Sequence, residues 1–219
     1  MGIVEPLPGT LPVVSDTQYP DLTAEEVTAL GAVPGLPDEA FEHDGLITKR
    51  HVRASAFAFL RPQPGQLLWD VGTGSGAMAI EWCRAAERAT AIGLERKQVR
   101  ADRARRNIER LAPGLVTVVD GEAAETLLGL PSPDAVFIGG GVTDGVLKGC
   151  WEALKPGGRI VAHGVTLETE ALLAAQYRSH GGTLNRIMID SVDTIGRFLS
   201  WSPARPITAW AATKPEAVG

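Results

Sequence analysis

From Thr48 onward, short apolar runs alternate with amphipathic stretches, and the alternation predicts one α/β layer after another. Val52, Ala56 and Phe59 form an apolar stripe at helical spacing, so a helix is expected over 48–60 with Thr48 as its N-cap. Apolar runs at 67–71, 90–95, 115–119, 134–138 and 158–163 read as strands. The stretches after them, 76–88, 97–111, 122–128, 143–154 and 167–180, read as helices. The runs are apolar on both faces, as parallel strands covered above and below by helices should be. The rhythm breaks at the end: 183–190 and 206–212 read as strands, and the stretch between them, with Gly196 and Pro203, shows no helix. Two strands without a crossover helix predict an antiparallel hairpin on the sheet edge.

The start of the chain has a different texture. Pro6, Pro8, Pro12 and Pro20 mark residues 1–20 as an extended arm or linker. Thr23 and Glu26 have capping-box spacing for a short helix to Leu30, and Pro34-Gly35-Leu36-Pro37 closes the segment. The expected organisation is an arm or linker over 1–34, one domain over 35–213 and a tail over 214–219.

Composition narrows the class. The chain has 219 residues with 21 Lys and Arg against 26 Asp and Glu, a net charge of −5, which argues against generic nucleic-acid binding. No apolar run approaches the roughly 18–20 residues that span a bilayer, and the first residues lack the pattern of a signal peptide. Cys83 and Cys150 fall in predicted helices without metal-ligand spacing, which suits reduced buried thiols in a cytoplasmic protein.

The chemistry concentrates after the first strand. Trp69-Asp70-Val71-Gly72-Thr73-Gly74-Ser75-Gly76 runs from an apolar strand through an acid into alternating glycines, and a helix pattern follows at once. Such a loop lets bare main chain approach an adenosine-bearing ligand at a strand's carboxyl end, with the helix N-terminus facing an anion. Gly72, Gly74 and Ala77 also satisfy a loose dinucleotide pattern, but Asp70, two residues before the first glycine, points to S-adenosylmethionine. Glu95 ends the second strand, where an acid can accept both ribose hydroxyls. Gly121, Glu122 and Ala123 follow the third strand and can border the adenine, although Glu122 also reads as a helix-opening acid. Gly139, Gly140 and Gly141 follow the fourth and leave an open floor.

Together with the Leu154-Lys155-Pro156-Gly157-Gly158 turn, these pieces resemble class I S-adenosylmethionine methyltransferases. The resemblance implies a Rossmann-like α/β fold with a seven-stranded, mostly parallel sheet and a C-terminal antiparallel hairpin. A narrower resemblance lies in Gly35-Leu36-Pro37-Asp38-Glu39-Ala40-Phe41, Ile47-Thr48-Lys49-Arg50-His51-Val52-Arg53, Trp69-Asp70-Val71-Gly72, Phe137-Ile138-Gly139-Gly140 and Leu167-Glu168-Thr169. In that order they resemble the precorrin methyltransferases of cobalamin biosynthesis. The match is to the part of the precorrin-6Y C(5,15)-methyltransferase (decarboxylating) family that methylates carbon 15 and removes the carboxyl of an acetate arm on ring C. In that family the part is a separate protein or the C-terminal half of a fused enzyme, and the Pro-rich start here fits a linker from such a fusion. The resemblance carries cofactor contacts to Thr48, Gly72–Gly76, Glu95 and Ala123. It also implies a homo-oligomer, a tetramer, and a polycarboxylate tetrapyrrole as substrate. His163-Gly164-Val165 departs from the family, whose members often place Asn there.

Methyl transfer from a sulfonium chiefly needs alignment, worth about 7–11 kcal/mol when ideal, and no metal. Loss of carbon dioxide needs one acid–base group. His163, the only histidine at a strand's carboxyl end, and Glu168 are the candidates. Lys49, Arg50 and Arg53, with Arg197 in the terminal hairpin, are the candidate cations for substrate carboxylates. Arg96, Arg100, Arg103, Arg106 and Arg110 lie on one helix face opposite Val99, Ala104, Ile108 and Leu111. That face reads as solvated, with an intersubunit contact as the rival reading. Three other functions stay open: a methyltransferase on another acceptor such as a tRNA base, disfavoured by charge and the lack of a basic aromatic arm; a nicotinamide-dependent oxidoreductase; and a non-catalytic module of the same fold.

Overall fold

The computed structural model describes residues 23–216; the arm expected over 1–20 lies outside them. The helices are α1 (Ala24–Ala29), α2 (Arg50–Leu60), α3 (Ala77–Ala85), α4 (Gln98–Leu111), α5 (Ala123–Thr126), α6 (Asp144–Ala153) and α7 (Leu167–His180). The strands are β1 (Leu67–Val71), β2 (Thr90–Glu95), β3 (Val116–Asp120), β4 (Ala135–Ile138), β5 (Arg159–Gly164), β6 (Thr183–Ile187), β7 (Asp190–Ile195), β8 (Phe198–Pro203) and β9 (Ile207–Thr213). Seven strands form one sheet in the order β3-β2-β1-β4-β5-β9-β6. The first five pair in parallel, and β9 runs antiparallel to both β5 and β6. The order reverses between β1 and β4, the place in an open parallel sheet where a crevice opens at the strands' carboxyl ends.

Alternation along each strand builds two cores. Leu68, Phe137 and Val161 pack with Phe57, Leu60, Ile80 and Ile108 on one side of the sheet. Trp69, Val136, Ile138 and Ile160 pack with Leu147, Cys150, Leu173 and Trp210 on the other. Each fully buried large apolar side chain contributes about 1.5–3 kcal/mol, so the sheet is a rigid base for the loops at its edge. Cys83 and Cys150 are buried free thiols, and burial pushes both up to about 12. Among the described residues no helix is long and apolar enough to cross a membrane.

Three sequence expectations change. Thr48 is not the N-cap of α2: that place falls to Lys49, and the Arg50 N–H is capped from afar by Asp38 Oδ1 at 2.9 Å. The strand expected over 183–190 stops at Ile187, and the segment up to Pro203 folds into a further two-stranded sheet, β7 against β8, turning at Gly196 and Arg197. Residues 23–34 are docked rather than a free linker. The Thr23–Glu26 capping box forms, and the Arg84 guanidinium donates to the carbonyls of Val27 and Gly31 at 2.8 Å. At the other end Lys214 is fastened too, its ammonium donating to the carbonyls of Trp151, Glu152 and Leu154.

Candidate functional site

The carboxyl ends of β1, β2 and β4 surround a cleft of about 370 Å³. Its floor is the glycine loop after β1. Gly72 and Gly74 have φ of +74° and +58°, and Gly76 caps α3 at +79°. These angles cost any residue with a Cβ. The N–H groups of Gly72 and Thr73 both donate to the Leu94 carbonyl, at 2.9 and 3.0 Å, which ties the loop to β2. Thr73 and Ser75 are buried, so the loop presents main chain rather than side chains to the cleft. Gly93 on β2 is where Thr73 packs: a Cβ there would lie 2.9 Å from the Thr73 hydroxyl.

Two acids organise this loop. Asp70 is buried, and its Oδ2 accepts the Thr73 hydroxyl at 2.6 Å and the Ala79 N–H at 3.2 Å. Burial raises its pKa to about 6 against those two bonds, and the Glu95 charge adds to the rise. Asp70 therefore shapes the loop from below although it borders the cleft. Glu95 ends β2 with both oxygens held by main chain: Oε2 accepts from Gly74 N–H at 3.1 Å and Oε1 from Lys97 N–H at 2.9 Å. Each oxygen keeps a free lone-pair direction, as an acceptor for a vicinal diol needs.

Opposite the glycine loop, the loop after β4 contributes Gly139, Gly140 and Gly141. Beyond β3, Gly121, Glu122 and Ala123 close one end, with Arg96 paired to Glu122 at 3.2 Å across it. Thr48 lines the wall. The cofactor candidates from the sequence, from Thr48 to Gly140, thus border one cleft, except Gly76, which caps α3 behind the lining and packs toward Ala104 and Ile80. The sequence reading did not single out Leu46, Met78, Thr143 or Val146, which also line it, and it quoted Phe137 only within the motif before Gly139 without giving it a place in the site. Only Thr143 carried a local signal, as the residue that caps α6 by accepting the Val146 N–H at 3.2 Å.

The remaining candidates scatter. His163 is buried at the end of β5 and does not line the cleft; its ring stands edge-on to Phe137, centroids 5.0 Å apart. Among the described residues its Nε2 has no hydrogen-bond partner, and burial lowers its pKa to about 4. It is a neutral imidazole behind Phe137, not a group open to a substrate. Glu168 is exposed in the first turn of α7, and hydrogen bonds from its own main chain and from Thr166 hold its carboxyl below the usual value. Lys49 and Arg50 are exposed next to Thr48, with Lys49 3.5 Å from Asp38.

Arg53 corrects the sequence expectation. It is fully buried, donates to Glu81 and Asp38 at 2.7 Å and also to the carbonyls of Thr48 and Leu36, so its donors are spent inside the protein. Arg197 sits at the turn between β7 and β8 with its guanidinium over the Phe198 ring, outside the cleft lining. The arginine face expected on α4 is solvated only in part: Arg96 and Arg106 are exposed, while Arg100, Arg103 and Arg110 are half-buried. Arg100 and Arg103 pair with Asp44, and Arg106 with Glu42, while Val99 is 71% exposed.

The precorrin methyltransferase domain signature matches residues 39–214. A precorrin-6Y C(5,15)-methyltransferase (decarboxylating) of Sinorhizobium sp is 48% identical over 192 residues, 87% of this chain and 46% of that protein. A protein of Saccharolobus solfataricus described as "Probable cobalt-precorrin-6B C(15)-methyltransferase (decarboxylating)" is 32% identical over 144 residues, 63% of this chain and 72% of that protein. The crystal structure of the C-terminal domain of precorrin-6Y C5,15-methyltransferase from Rhodobacter capsulatus superposes with a TM-score of 0.79 at 44% identity, covering 84% of this chain and 100% of that one. The chain spans about half the length of the longer curated relatives.

Proposed function

The chain belongs to the precorrin methyltransferase domain family, and from that membership we propose that it is an S-adenosylmethionine-dependent C-methyltransferase of cobalamin biosynthesis. Its acceptor is a precorrin of the 6Y type, which it methylates at carbon 15 and decarboxylates at the ring C acetate. The choice of carbon 15 is supported by the shorter relative, whose description carries C(15) alone and 72% of whose length this chain matches. The longer relatives, described as C(5,15) enzymes, extend well beyond the matched part. A second methylating domain joined to this one is the corresponding reading for the rest of such an enzyme.

The single observation that carries the donor assignment is the cleft itself. Its floor is main chain at positive φ, an acid pinned by two backbone N–H groups stands at one side, and no Cβ projects from Gly140 or Gly141, around which nothing lies within 4 Å of where one would be. When bound, S-adenosylmethionine supplies a methyl group on a sulfonium with a neutral leaving group. The chain's own part is to bind and align. Glu95 accepts the ribose hydroxyls, the Gly72–Gly76 loop and Thr48 hold the methionyl end, and Gly121, Glu122 and Ala123 flank the base. Gly139 and Gly140 leave room beside the methyl for a large acceptor. A sequestered, aligned pair of reactants is the main source of rate for such a displacement. Lys49 and Arg50 beside Thr48 are the cations we assign to substrate carboxylates. For the proton step of decarboxylation, Glu168 is the exposed candidate, and His163 can serve only if Phe137 moves aside.

The protein works as a homo-oligomer in this reading, a tetramer by family resemblance. The support is the β7–β8 hairpin, which exposes Val192, Leu199 and Trp201 on one face and Ile195 and Phe198 on the other. Its place is the cytoplasm, where free thiols such as Cys83 and Cys150 persist. The direct test is incubation with S-adenosylmethionine and the precorrin, read by mass. Gain of one methyl and loss of one carbon dioxide is the expected product; an unchanged tetrapyrrole overturns the assignment.

A further inference from the structure

One wall of the cleft is a strap without regular secondary structure, residues 41–49, which enters from the turn at Asp38–Ala40 and leaves into α2. Its last part, Leu46, Ile47 and Thr48, faces the glycine loop across the cleft. A strap with no ladder of its own keeps its place only through bonds to its neighbours. Arg53 of α2 holds the Thr48 carbonyl, and a larger set at and beside the strap comes from α4. Arg100 and Arg103 hold Asp44, Arg106 holds Glu42, and Arg110 donates to the Ala40 carbonyl at 2.8 Å.

Asn107, on the same helix, is different in kind because it is fully buried. Burying an amide is costly unless its hydrogen-bonding capacity is filled. Here it is filled completely. Oδ1 accepts the Glu42 N–H at 2.8 Å and the Arg110 guanidinium at 3.1 Å. Nδ2 donates to the Glu42 carbonyl at 2.9 Å and to the Ser75 carbonyl at 2.8 Å. One side chain therefore grips both main-chain groups of a strap residue and a carbonyl inside the glycine loop. The floor and the wall of the cleft are joined through a single amide.

We infer that Asn107 is a positioning residue for the donor cleft, clamping the strap to the glycine loop so that Thr48 and Gly74 keep the separation a donor needs. This rests on the donor reading proposed above. The clamp acts through main chain, so its loss widens the cleft rather than removing a group that touches the donor. Asn107→Asp is the discriminating variant, because it keeps the acceptor for Glu42 N–H and Arg110 but sets a carboxylate oxygen against the carbonyls of Glu42 and Ser75.

The experiment measures S-adenosylhomocysteine affinity by calorimetry and hydrogen exchange of the amides over 42–48, for wild type, Asn107→Ala and Asn107→Asp. The control is Arg84→Ala, which releases α1 and the Leu111 carbonyl at the end of α4 but removes none of the bonds to the strap itself. Both Asn107 variants should bind about tenfold more weakly, the equivalent of losing one buried hydrogen bond, and exchange faster at 42–48. Arg84→Ala should melt earlier and bind as wild type does. If Asn107→Ala does not fold, Asp44→Ala loosens the same strap from its more exposed side and should weaken binding in the same direction. Wild-type affinity in the Asn107 variants, or an equal loss in Arg84→Ala, overturns the clamp. A wild type that binds no S-adenosylhomocysteine overturns the donor reading instead, whatever the exchange shows.

Discussion

Gly72 and Gly140 approach so closely that a Cβ on Gly72 would stand 2.9 Å from the Gly140 carbonyl oxygen. The loops after β1 and β4, the two strands flanking the switch point, thus touch main chain to main chain beneath the cleft. Gly72 also has φ of +74°, so Gly72→Ala meets strain and collision together. Strain of this kind costs about 1–3 kcal/mol. Gly140 has open space where a Cβ would go, and Gly140→Ala should stay within about 0.5 kcal/mol of wild type. Thermal melting of both variants checks this; equal destabilisation would contradict the packing described.

The parts of this architecture that were legible in the sequence are those with a buried face. β2 spans Thr90–Glu95, as its apolar pattern predicts, and α4 spans Gln98–Leu111, within a residue of the expected 97–111, because each has a core side to report. The β7–β8 hairpin was missed because it has none: both strands are exposed throughout, and the Ile195-Gly196-Arg197-Phe198 turn was the signal that could have found it. The arginine face of α4 misled for a related reason. Its partners Glu42, Asp44 and the Ala40 carbonyl lie in or beside a strap without periodicity, so arginines at helical spacing looked solvated. Arg53 was misread because nothing local tells a buried guanidinium from an exposed one; Glu81, its partner, is distant in sequence.

Asp70 and His163 give opposite pH dependences. Burial raises Asp70 from 3.8 to about 6, so its unfavourable ionisation costs the folded state progressively as pH rises through that window. Burial lowers His163 from 6.5 to about 4, so the unfolded chain takes up a proton first and stability falls as pH drops through that window. Each contributes up to about 1.4 kcal/mol per pH unit within its window. Asp70→Asn should be the more stable protein at pH 7.5 yet lose stability more steeply than wild type between pH 6 and 4. His163→Leu should lose less. Denaturant unfolding across pH 4–7.5 reads both slopes, and parallel profiles for all three proteins would refute the assignment.

Arg53 and Arg50 should separate cleanly. Arg53→Met leaves Glu81 buried without its partner, a change that costs about 3–5 kcal/mol, or about 6–20 °C in melting temperature for a chain of this size. Arg50 is exposed, so Arg50→Ala should melt as wild type does. In the proposed reaction it should raise KM for the precorrin with kcat little changed, the pattern of lost uniform binding. A melting loss in Arg50→Ala, or none in Arg53→Met, would reverse the two roles.

The exposed apolar side chains on both faces of the β7–β8 ribbon, Val192, Leu199 and Trp201 on one and Ile195 and Phe198 on the other, predict self-association. Phe198 and Trp201 are 63% and 68% exposed in the single chain, and a charge at either position should be tolerated by the fold but not by an interface. Phe198→Asp with Trp201→Asp should lower the mass measured by light scattering while the far-UV spectrum and melting of the domain remain. An unchanged mass would place any interface elsewhere.

Calorimetric titration of S-adenosylhomocysteine into wild type and Glu95→Ala bears most directly on the donor cleft. One molecule should bind per wild-type chain, and loss of the carboxylate that Gly74 and Lys97 hold in place should weaken binding by at least about tenfold, as expected for a charge-assisted pair of hydrogen bonds. No heat of binding in the wild type, or an affinity indifferent to Glu95, would contradict it.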